Sequence, residues 1–208
     1  PKFPKLDKNI DTDICIIGAG ITGIMTAYML LDKGLKITII DKGEICSGVT
    51  ENTTAKITSQ HGLIYNYLEV TFGTEFASLY LESNQKAIDT IENIIKKENI
   101  ECEFERVDNY IYTCKDEYVQ KIKDEVETIN RLGVEAKLLD KIKLPFEVKA
   151  GIKLHEQARF HPLKYLYKIV EILKRSGVEI YTNSIVINTK QEGKEYQVIT
   201  EDNIIKAK

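Results

Sequence analysis

The stretch "DICIIGAGITGIMTAYMLLDKGLKITIID", residues 13–41, decides the fold class of this chain. Residues 13–17 form an apolar run that ends in glycines, and residues 21–32 follow a helical pattern that stops at Gly34. Residues 36–40 then form a second apolar run that is rich in β-branched side chains. A strand, a helix and a second strand in this order predict a βαβ unit and an α/β fold.

Three glycines between the first strand and the helix follow the spacing GxGxxG. Gly18 permits the tight turn, Gly20 leaves room for a pyrophosphate against the backbone, and Gly23 lets the helix pack closely on the strand. The start of the helix adds unpaired amides and a partial positive charge, which attract an anion. Asp41 ends the second strand, where its carboxylate can accept hydrogen bonds from ribose hydroxyls. The pattern predicts a dinucleotide site; the alternative is three turn and packing glycines beside a solvated Asp41.

The choice of dinucleotide depends on Asp41 and on the segment that follows it. A carboxylate at this position would repel the 2′-phosphate of NADP, which leaves NAD or the adenosine half of FAD. Residues 47–59 carry six hydroxyl side chains, a composition typical of a binding loop. An NAD domain usually continues directly into further helices and strands, so this intervening segment favours FAD.

The composition excludes several other classes of function. The 208 residues are 43% hydrophobic and carry a net charge of −3, so no basic field attracts nucleic acid. The apolar runs are too short to span a bilayer and no leader pattern precedes Asp13, so we expect a cytoplasmic protein with no membrane span. The histidines lie too far apart for a metal site, and we expect no metal.

Residues 63–154 differ in pattern from the segments on either side of them. A long helix is expected to end near Asn99, strands are expected on both sides of a turn at residues 107–109, and a helix is expected to end at Gly133. Tyr110 and Tyr112 alternate on one strand face. We therefore expect three parts: residues 10–62 as the first part of the cofactor domain, residues 63–154 as an inserted α+β lobe, and residues 155–208 as the return to the cofactor domain.

Two further stretches carry a resemblance to a known family. They are "NTTAKITSQHGLIY", residues 52–65, and "RFHPLKYLYKIVEILKRSGVEIYTNSIVINTK", residues 159–190. With the glycine motif, they make residues 13–207 resemble the FAD-dependent oxidoreductases of the D-amino acid oxidase and glycine oxidase superfamily. The resemblance includes a branch whose members sometimes carry a C-terminal Rieske iron–sulfur domain, and the layout is similar to that of flavin-dependent glycerol-3-phosphate dehydrogenases. It implies a Rossmann-like FAD-binding domain, with the α+β lobe facing the substrate.

The resemblance also implies which residues contact FAD. The backbone of the glycine loop would hold the pyrophosphate, Asp41 the ribose, and the backbone of Val186 the adenine. The full set of implied FAD-binding residues is Gly18, Gly20, Ile21, Thr22, Gly23, Asp41, Lys42, Ser47, Gly48, Thr53, Thr54, Ala55, Lys56 and Val186. The alternatives are a solvated surface lysine for Lys42 and an ordinary strand residue for Val186.

No catalytic residue follows from the sequence, although Lys56 and His61 are candidates. Lys56 near the flavin could stabilise negative charge on the reduced ring, and His61 could carry a proton. The alternatives are a lysine that reaches solvent or a carbonyl, and a histidine that packs or caps before Gly62.

The resemblance implies an enzyme that oxidises a C–H next to an amine or hydroxyl of a small molecule, by hydride transfer to flavin N5. The alternatives are a non-catalytic dinucleotide-binding chain and an NAD-dependent enzyme. We expect the C-terminal part of the family fold to be missing after Lys208, which would leave the flavin-ring half of the site open and this chain inactive alone. An iron–sulfur domain or another electron acceptor could then lie outside this chain.

Overall fold

The predicted βαβ unit is present in the computed structural model, which describes residues 2–208. Strand β2 (Ile14–Ile17) runs parallel to β3 (Ile37–Ile40), and helix α1 (Ile21–Met29) connects them. All four residues of β3 are buried, as expected for the middle strand of a parallel sheet. The helix ends three residues earlier than the predicted Asp32, because a short 3₁₀ turn at Leu31–Lys33 takes its place.

The chain divides into two compact units. Unit 1 consists of the chain up to Thr54 together with Pro162–Lys208, and unit 2 is the continuous segment Ala55–His161. The sequence predicts boundaries at residues 62/63 and 154/155. They lie instead at 54/55 and 161/162, because Lys56 and Ile57 pair in an antiparallel sheet with Arg159 and Ala158.

Unit 1 contains two sheets. Strand β8 (Glu179–Tyr181) joins β2 and β3 in the parallel order β2-β3-β8. The second sheet has the order β1-β11-β10-β9, with β1 parallel to β11 and the other pairs antiparallel. Its strands are β1 (Ile10–Thr12), β9 (Val186–Glu192), β10 (Glu195–Thr200) and β11 (Ile204–Ala207).

The second chain segment of unit 1 begins with a helix that leads into the parallel sheet. Helix α5 (Pro162–Arg175) packs against α1 and leads into β8. Proline suits the first helical position, because its missing amide has no partner there in any case. Gly177, with φ of +84°, then turns the chain toward β8.

Unit 2 is an antiparallel sheet with helices on one face. Strand β7 (Ala150–Arg159) pairs with β4 (Lys56–Ile57), β5 (Glu105–Thr113) and β6 (Ala136–Leu139). The helices are α2 (Tyr65–Phe72), α3 (Thr74–Glu98) and α4 (Val119–Arg131). The core of the unit comprises Tyr65, Leu81, Ile122, Val126, Ile129, Ala136, Ala150, Ile152 and Leu154.

Two features of unit 2 differ from the sequence prediction. Residues 107–109 are not a turn, because β5 continues through them and pairs with β7 on both sides. The sequence also did not predict α2 as a separate helix, which ends at Gly73 just before α3 begins. The predicted end of the long helix near Asn99 is correct, and Asn99 has the left-handed conformation that closes a helix.

Candidate functional site

The glycine loop between β2 and α1 combines a left-handed turn with a very close packing contact. Gly18 has φ of +110°, a conformation that side-chain-bearing residues rarely adopt. A Cβ on Gly23 would lie 1.9 Å from the carbonyl oxygen of Gly18, so only glycine lets α1 approach the loop this closely. These geometries agree with the roles that the spacing predicted for Gly18 and Gly23.

The first turn of α1 is open to an anion. Gly20 precedes the helix in an extended conformation and makes no side-chain capping hydrogen bond, and the first turn carries no acidic residue. A Cβ on Gly20 would lie 3.0 Å from Thr50 Oγ1, and the backbone N–H of Ile21 donates to the same oxygen at 3.3 Å. The hydroxyl of Thr50 therefore lies where an oxygen of a bound phosphate would accept hydrogen bonds from this turn.

Asp41 is tied directly to the glycine loop. Its Oδ2 accepts a 2.6 Å hydrogen bond from the backbone N–H of Ala19, and its Oδ1 accepts one of 2.8 Å from that of Gly43. The Asp41 backbone also bonds to Tyr181 and Ser184, which fixes the residue at the end of β3. Each carboxylate oxygen can accept more than one hydrogen bond, so ribose hydroxyls can bind without displacing these amides.

Two neighbouring cavities of unit 1 meet at Ile17 and Gly18. The larger, of about 580 Å³, is lined by Ile16, Ile17, Gly18, Gly20, Ile21, Thr22, Gly23, Thr26, Val49, Thr50 and Thr53. The smaller, of about 240 Å³, is lined by Ile17, Gly18, Ile40, Asp41, Lys42, Ser184, Ile185 and Val186. An elongated ligand could therefore bind with a phosphate at the helix start and a ribose at Asp41.

These cavities contain most of the residues expected at the site. All the expected residues of the glycine loop and α1, together with Thr53, line the larger cavity, and Asp41, Lys42 and Val186 line the smaller one. The structure therefore brings Val186 next to Asp41, although 145 residues separate them in the sequence. Ser47 and Gly48 line neither cavity; the Ser47 hydroxyl donates to the Glu44 carbonyl, and Gly48 has φ of +70°.

Three further expected residues, at positions 54 to 56, lie where the chain passes from unit 1 into unit 2. Thr54 is the last residue of this part of unit 1, whereas Ala55 and Lys56 belong to unit 2. The Ala55 carbonyl accepts a hydrogen bond from the backbone N–H of Phe160, and Lys56 is exposed on β4. Contacts of these three residues with a cofactor stay a prediction.

His61 is exposed in unit 2 and packs against α3. Its Nε2 lies 3.2 Å from Asn84 Oδ1, and its ring meets the Tyr80 ring edge-on with the centroids 6.4 Å apart. The Asn84 amide donates to the Tyr80 carbonyl, which orients Oδ1 toward His61. This arrangement matches the packing alternative of the sequence analysis, and a catalytic role stays a prediction.

The sequence reasoning missed several residues that line the cavities. Val49 and Thr50 belong to the hydroxyl-rich segment at residues 47–59, and that composition is the signal that could have identified them. Ser184 and Ile185 come before a strand far along the chain, and no local pattern marks them. Their place beside Asp41 depends on the pairing of β8 with β3.

A buried cysteine, Cys46, and a half-buried one, Cys15, lie close to the glycine loop. The backbone N–H of Cys46 donates to the Ala19 carbonyl at 2.9 Å, and burial raises the pKa of the Cys46 thiol to about 11. Burial also raises the pKa of the Cys15 thiol on β2 to about 12. Both thiols are therefore protonated at neutral pH, and neither is a nucleophile.

Two kinds of feature are absent from residues 2–208. No three His, Cys, Asp or Glu side chains in this range are grouped so that they could hold a metal ion. No helix in the same range is both long and apolar enough to cross a membrane.

Comparison with known proteins gives one family and several relatives. The family described as "DAO: FAD dependent oxidoreductase" matches residues 13–207. A protein of Bacillus subtilis (strain 168) named as a Rieske 2Fe-2S iron-sulfur protein, YhfW, is 39% identical over 96% of this chain and 39% of its own length. The chain spans 39% to 45% of the length of three curated relatives that it matches along most of its own length.

Solved structures show the same fold. Glycine oxidase from Geobacillus kaustophilus matches with a TM-score of 0.78 and 13% identity, over 96% of this chain and 54% of its own. L-α-glycerophosphate oxidase from Mycoplasma pneumoniae, solved with FAD bound, matches with a TM-score of 0.73 and 18% identity, over 94% of this chain and 52% of its own.

Proposed function

The chain belongs to the DAO family of FAD-dependent oxidoreductases, and we propose that unit 1 binds the adenosine and pyrophosphate parts of FAD at its glycine loop. One observation carries this proposal: the start of α1, where within residues 2–208 only the Thr50 hydroxyl accepts from a first-turn amide, and the carboxylate of Asp41 adjoin two cavities that share Gly18. The amides at a helix start attract a pyrophosphate, and a carboxylate at the end of the second strand accepts hydrogen bonds from ribose hydroxyls. The residues present therefore fit the cofactor of the family.

In this proposal the two cavities hold different parts of the cofactor. The pyrophosphate lies in the larger cavity against the amides of Thr22 and Gly23, and the Thr50 hydroxyl rotates to donate to a phosphate oxygen. The adenosine lies in the smaller cavity, with its ribose on Asp41 and its adenine beside Val186. Lys42 lines the same cavity and would favour the negative charge of the cofactor.

For the whole protein we propose oxidation of a C–H bond next to an amine or hydroxyl of a small molecule. When bound, FAD accepts the hydride at N5 of its flavin ring. This class of substrate is supported by the names of the similar structures, a glycine oxidase and a glycerophosphate oxidase. The family match weighs against an NAD-dependent enzyme.

The electron acceptor of the whole protein is a separate proposal. The name of the Bacillus subtilis relative includes a Rieske iron–sulfur centre, and this chain covers 39% of that relative. We propose that an iron–sulfur domain outside residues 1–208 receives electrons from the reduced flavin.

The test is the flavin content of the purified 208-residue chain beside that of the full-length gene product. We expect FAD, visible by absorbance near ~450 nm, in the full-length product, and binding of ADP to the short chain, measured by calorimetry. Flavin reduction by glycine, L-proline or glycerol 3-phosphate under anaerobic conditions tests the reaction. A colourless full-length product that binds NADH would contradict the proposal, and a flavin-loaded one that none of these compounds reduces would favour the non-catalytic alternative.

A further inference from the structure

The segment before the first strand packs against unit 1 as an arm. This arm, residues 3–9, contains no helix or strand, and yet the side chain of its Leu6 is only 3% exposed. Leu6 shares a core cluster with Ile40, and Val186 packs against that cluster. Ile40 and Val186 both line the smaller of the two cavities, the one at Asp41. The arm is therefore packed against the residues that form this cavity.

Backbone groups of the arm bond to the connection between β8 and β9. The Thr182 backbone N–H donates to the Pro4 carbonyl at 3.0 Å, and the Thr182 hydroxyl donates to the Phe3 carbonyl at 2.9 Å. The Leu6 backbone N–H donates to the Ser184 hydroxyl at 2.9 Å. Thr182 and Ser184 are both buried, so loss of the arm would leave buried polar groups without partners.

Ser184 connects the arm to Asp41. Its hydroxyl accepts from Leu6 and donates to the Thr182 carbonyl at 3.0 Å, and its backbone N–H donates to the Asp41 carbonyl at 2.9 Å. Ser184 and Ile185 form one wall of the smaller cavity. A continuous set of hydrogen bonds therefore runs from the arm, through this wall, to the residue proposed to bind the ribose.

The wall formed by Ser184 and Ile185 also borders a third cavity. This cavity, of about 110 Å³, is lined by the same two residues and by Lys5 and Leu6 of the arm. Ile185 is 53% exposed. Because the two residues border a cavity on either side, no closely packed core holds them from behind. The hydrogen bonds to the arm fix the position of the wall instead.

The arm itself is anchored at a separate place. The Leu6 carbonyl accepts a hydrogen bond from Asn203 Nδ2 at 3.2 Å, and Asn9 Oδ1 accepts one from the backbone N–H of Ile204 at 2.8 Å. Asn203 and Ile204 lie where the chain turns from β10 into β11. The arm can therefore hold the wall against a fixed support on the second sheet of unit 1.

We propose that the arm is a positioning element of the adenosine site, which holds Ser184 and Ile185 in the conformation that receives the nucleoside. The inference rests on the proposed function, because it takes the smaller cavity as the adenosine site. An ordered wall lowers the entropy that is lost when the ligand binds, so the arm raises the affinity for the nucleotide. By thermodynamic linkage, a bound nucleotide stabilises the docked arm by the same factor. An arm that contributes only to stability would show neither effect.

The first experiment measures ADP binding to the 208-residue chain by calorimetry. Leu6→Ala and Ser184→Ala should each raise the ADP dissociation constant about tenfold, because each loosens the wall from the arm. Leu6→Met keeps the apolar contact and should stay within about threefold of the wild type. Ile37→Ala is the matched control, since Ile37 is buried at the opposite end of β3 from Asp41 and lines neither of the two proposed cofactor cavities. It should lower the stability by an amount comparable to Leu6→Ala and leave the dissociation constant within about twofold.

The outcomes of this experiment separate the inference from the proposed function. Circular dichroism shows whether each variant is folded at the temperature of the measurement. Equal ADP affinities in wild type, Leu6→Ala and Ser184→Ala overturn the inference alone. Equal weakening in Ile37→Ala assigns the effect to a general loss of stability and also overturns the inference. A folded wild-type chain that does not bind ADP overturns the proposed adenosine site itself.

The second experiment needs no variant and decides the matter where a variant fails to fold. It follows amide hydrogen exchange by NMR in the wild-type chain, with and without saturating ADP. The amides of Leu6 and Thr182 both donate across the contact with the arm, so ADP should slow their exchange about tenfold. The amide of Gly177, which donates to the Lys174 carbonyl at the end of α5, is the control and should change less than about twofold. Unchanged exchange at Leu6 and Thr182 with ADP bound would overturn the inference.

Discussion

At the residue scale, Asp41 joins the glycine loop to the proposed ribose site. Its carboxylate accepts hydrogen bonds from the amides of Ala19 and Gly43, and it lines the smaller cavity. Asp41→Ala should weaken ADP or FAD binding about 10- to 100-fold, as expected for loss of charged hydrogen bonds. Calorimetry measures this change, with the exposed Asp116→Ala as the control. Equal affinities in the two variants would remove Asp41 from the site.

Gly20 and Gly23 should respond differently to a side chain. Gly23→Ala would place a Cβ 1.9 Å from the Gly18 carbonyl, so we expect a loss of about 1–3 kcal/mol of stability, or more. Gly20→Ala meets only the movable side chain of Thr50 and should cost less stability, although its Cβ would block the proposed phosphate position. Thermal unfolding and ADP binding, measured on both variants, separate the two effects. Normal ADP binding in Gly20→Ala would contradict the phosphate assignment.

The cysteines differ in exposure, and their reactivity should follow it. Cys46 and Cys15 have pKa values raised by burial to about 11 and about 12, so both stay protonated at pH 8. Cys114 is exposed. Iodoacetamide at pH 8 should therefore label Cys114 first, and mass spectrometry of the digested chain identifies the site. Early labelling of Cys46 would show that the loop beside Ala19 opens readily.

At the element scale, a buried carboxylate fixes the start of helix α2. Glu125, on α4, accepts hydrogen bonds at 2.9 Å from the backbone amides of Tyr65 and Asn66 and from the side chain of Gln60. Glu125→Ala should cost about 3 kcal/mol or more of stability, because it leaves buried donors without an acceptor. Glu127→Ala changes an exposed residue of the same helix and is the matched control for chemical denaturation. A small effect in Glu125→Ala would mean that water replaces the carboxylate.

Strand β5 illustrates why a local pattern can mislead. Asp108 and Asn109 are of types common in turns, and the sequence predicted a turn at residues 107–109. In the structure β5 continues through these residues. The extra residue lies in the partner strand β7, where two residues stand opposite one residue of β5. Tyr110 and Tyr112 do alternate on one face as predicted, and both are exposed rather than packed under α4.

At the scale of the whole molecule, unit 2 has the properties of an insertion. Its ends adjoin, since the backbone N–H of Phe160 donates to the Ala55 carbonyl at 3.0 Å, and its core is made entirely of its own residues. A chain of residues 55–161 alone should therefore fold, because its ends need no support from unit 1. Circular dichroism during thermal unfolding tests this expectation, and the absence of a cooperative transition would contradict it. Unit 1 consists of two separate segments, so residues 2–54 alone should not fold and serve as the contrast.

The family resemblance comes from three separate stretches of the sequence, whereas the βαβ unit, the glycine loop and Asp41 at the end of β3 are local features that the sequence by itself determined. These features follow from spacings within about thirty residues, where helix and strand periods and the lack of a Cβ dictate the backbone. A long helix ending at Asn99 and a proline opening α5 were predictable for the same reason.

Only the tertiary structure decided which distant residues meet. Ser184 and Val186 reach the cavity at Asp41 through the pairing of β8 with β3, and His155 reaches Asp108 through a bulge in β7. Nothing in the local sequence specifies these contacts, because each depends on the strand register between segments about fifty or more residues apart. A bulge adds one residue to a strand and redirects the side chains where it occurs. The observed unit boundaries differ from the predicted ones for the same reason. Residues with a loop-like sequence belong to unit 2 because they pair with one of its strands.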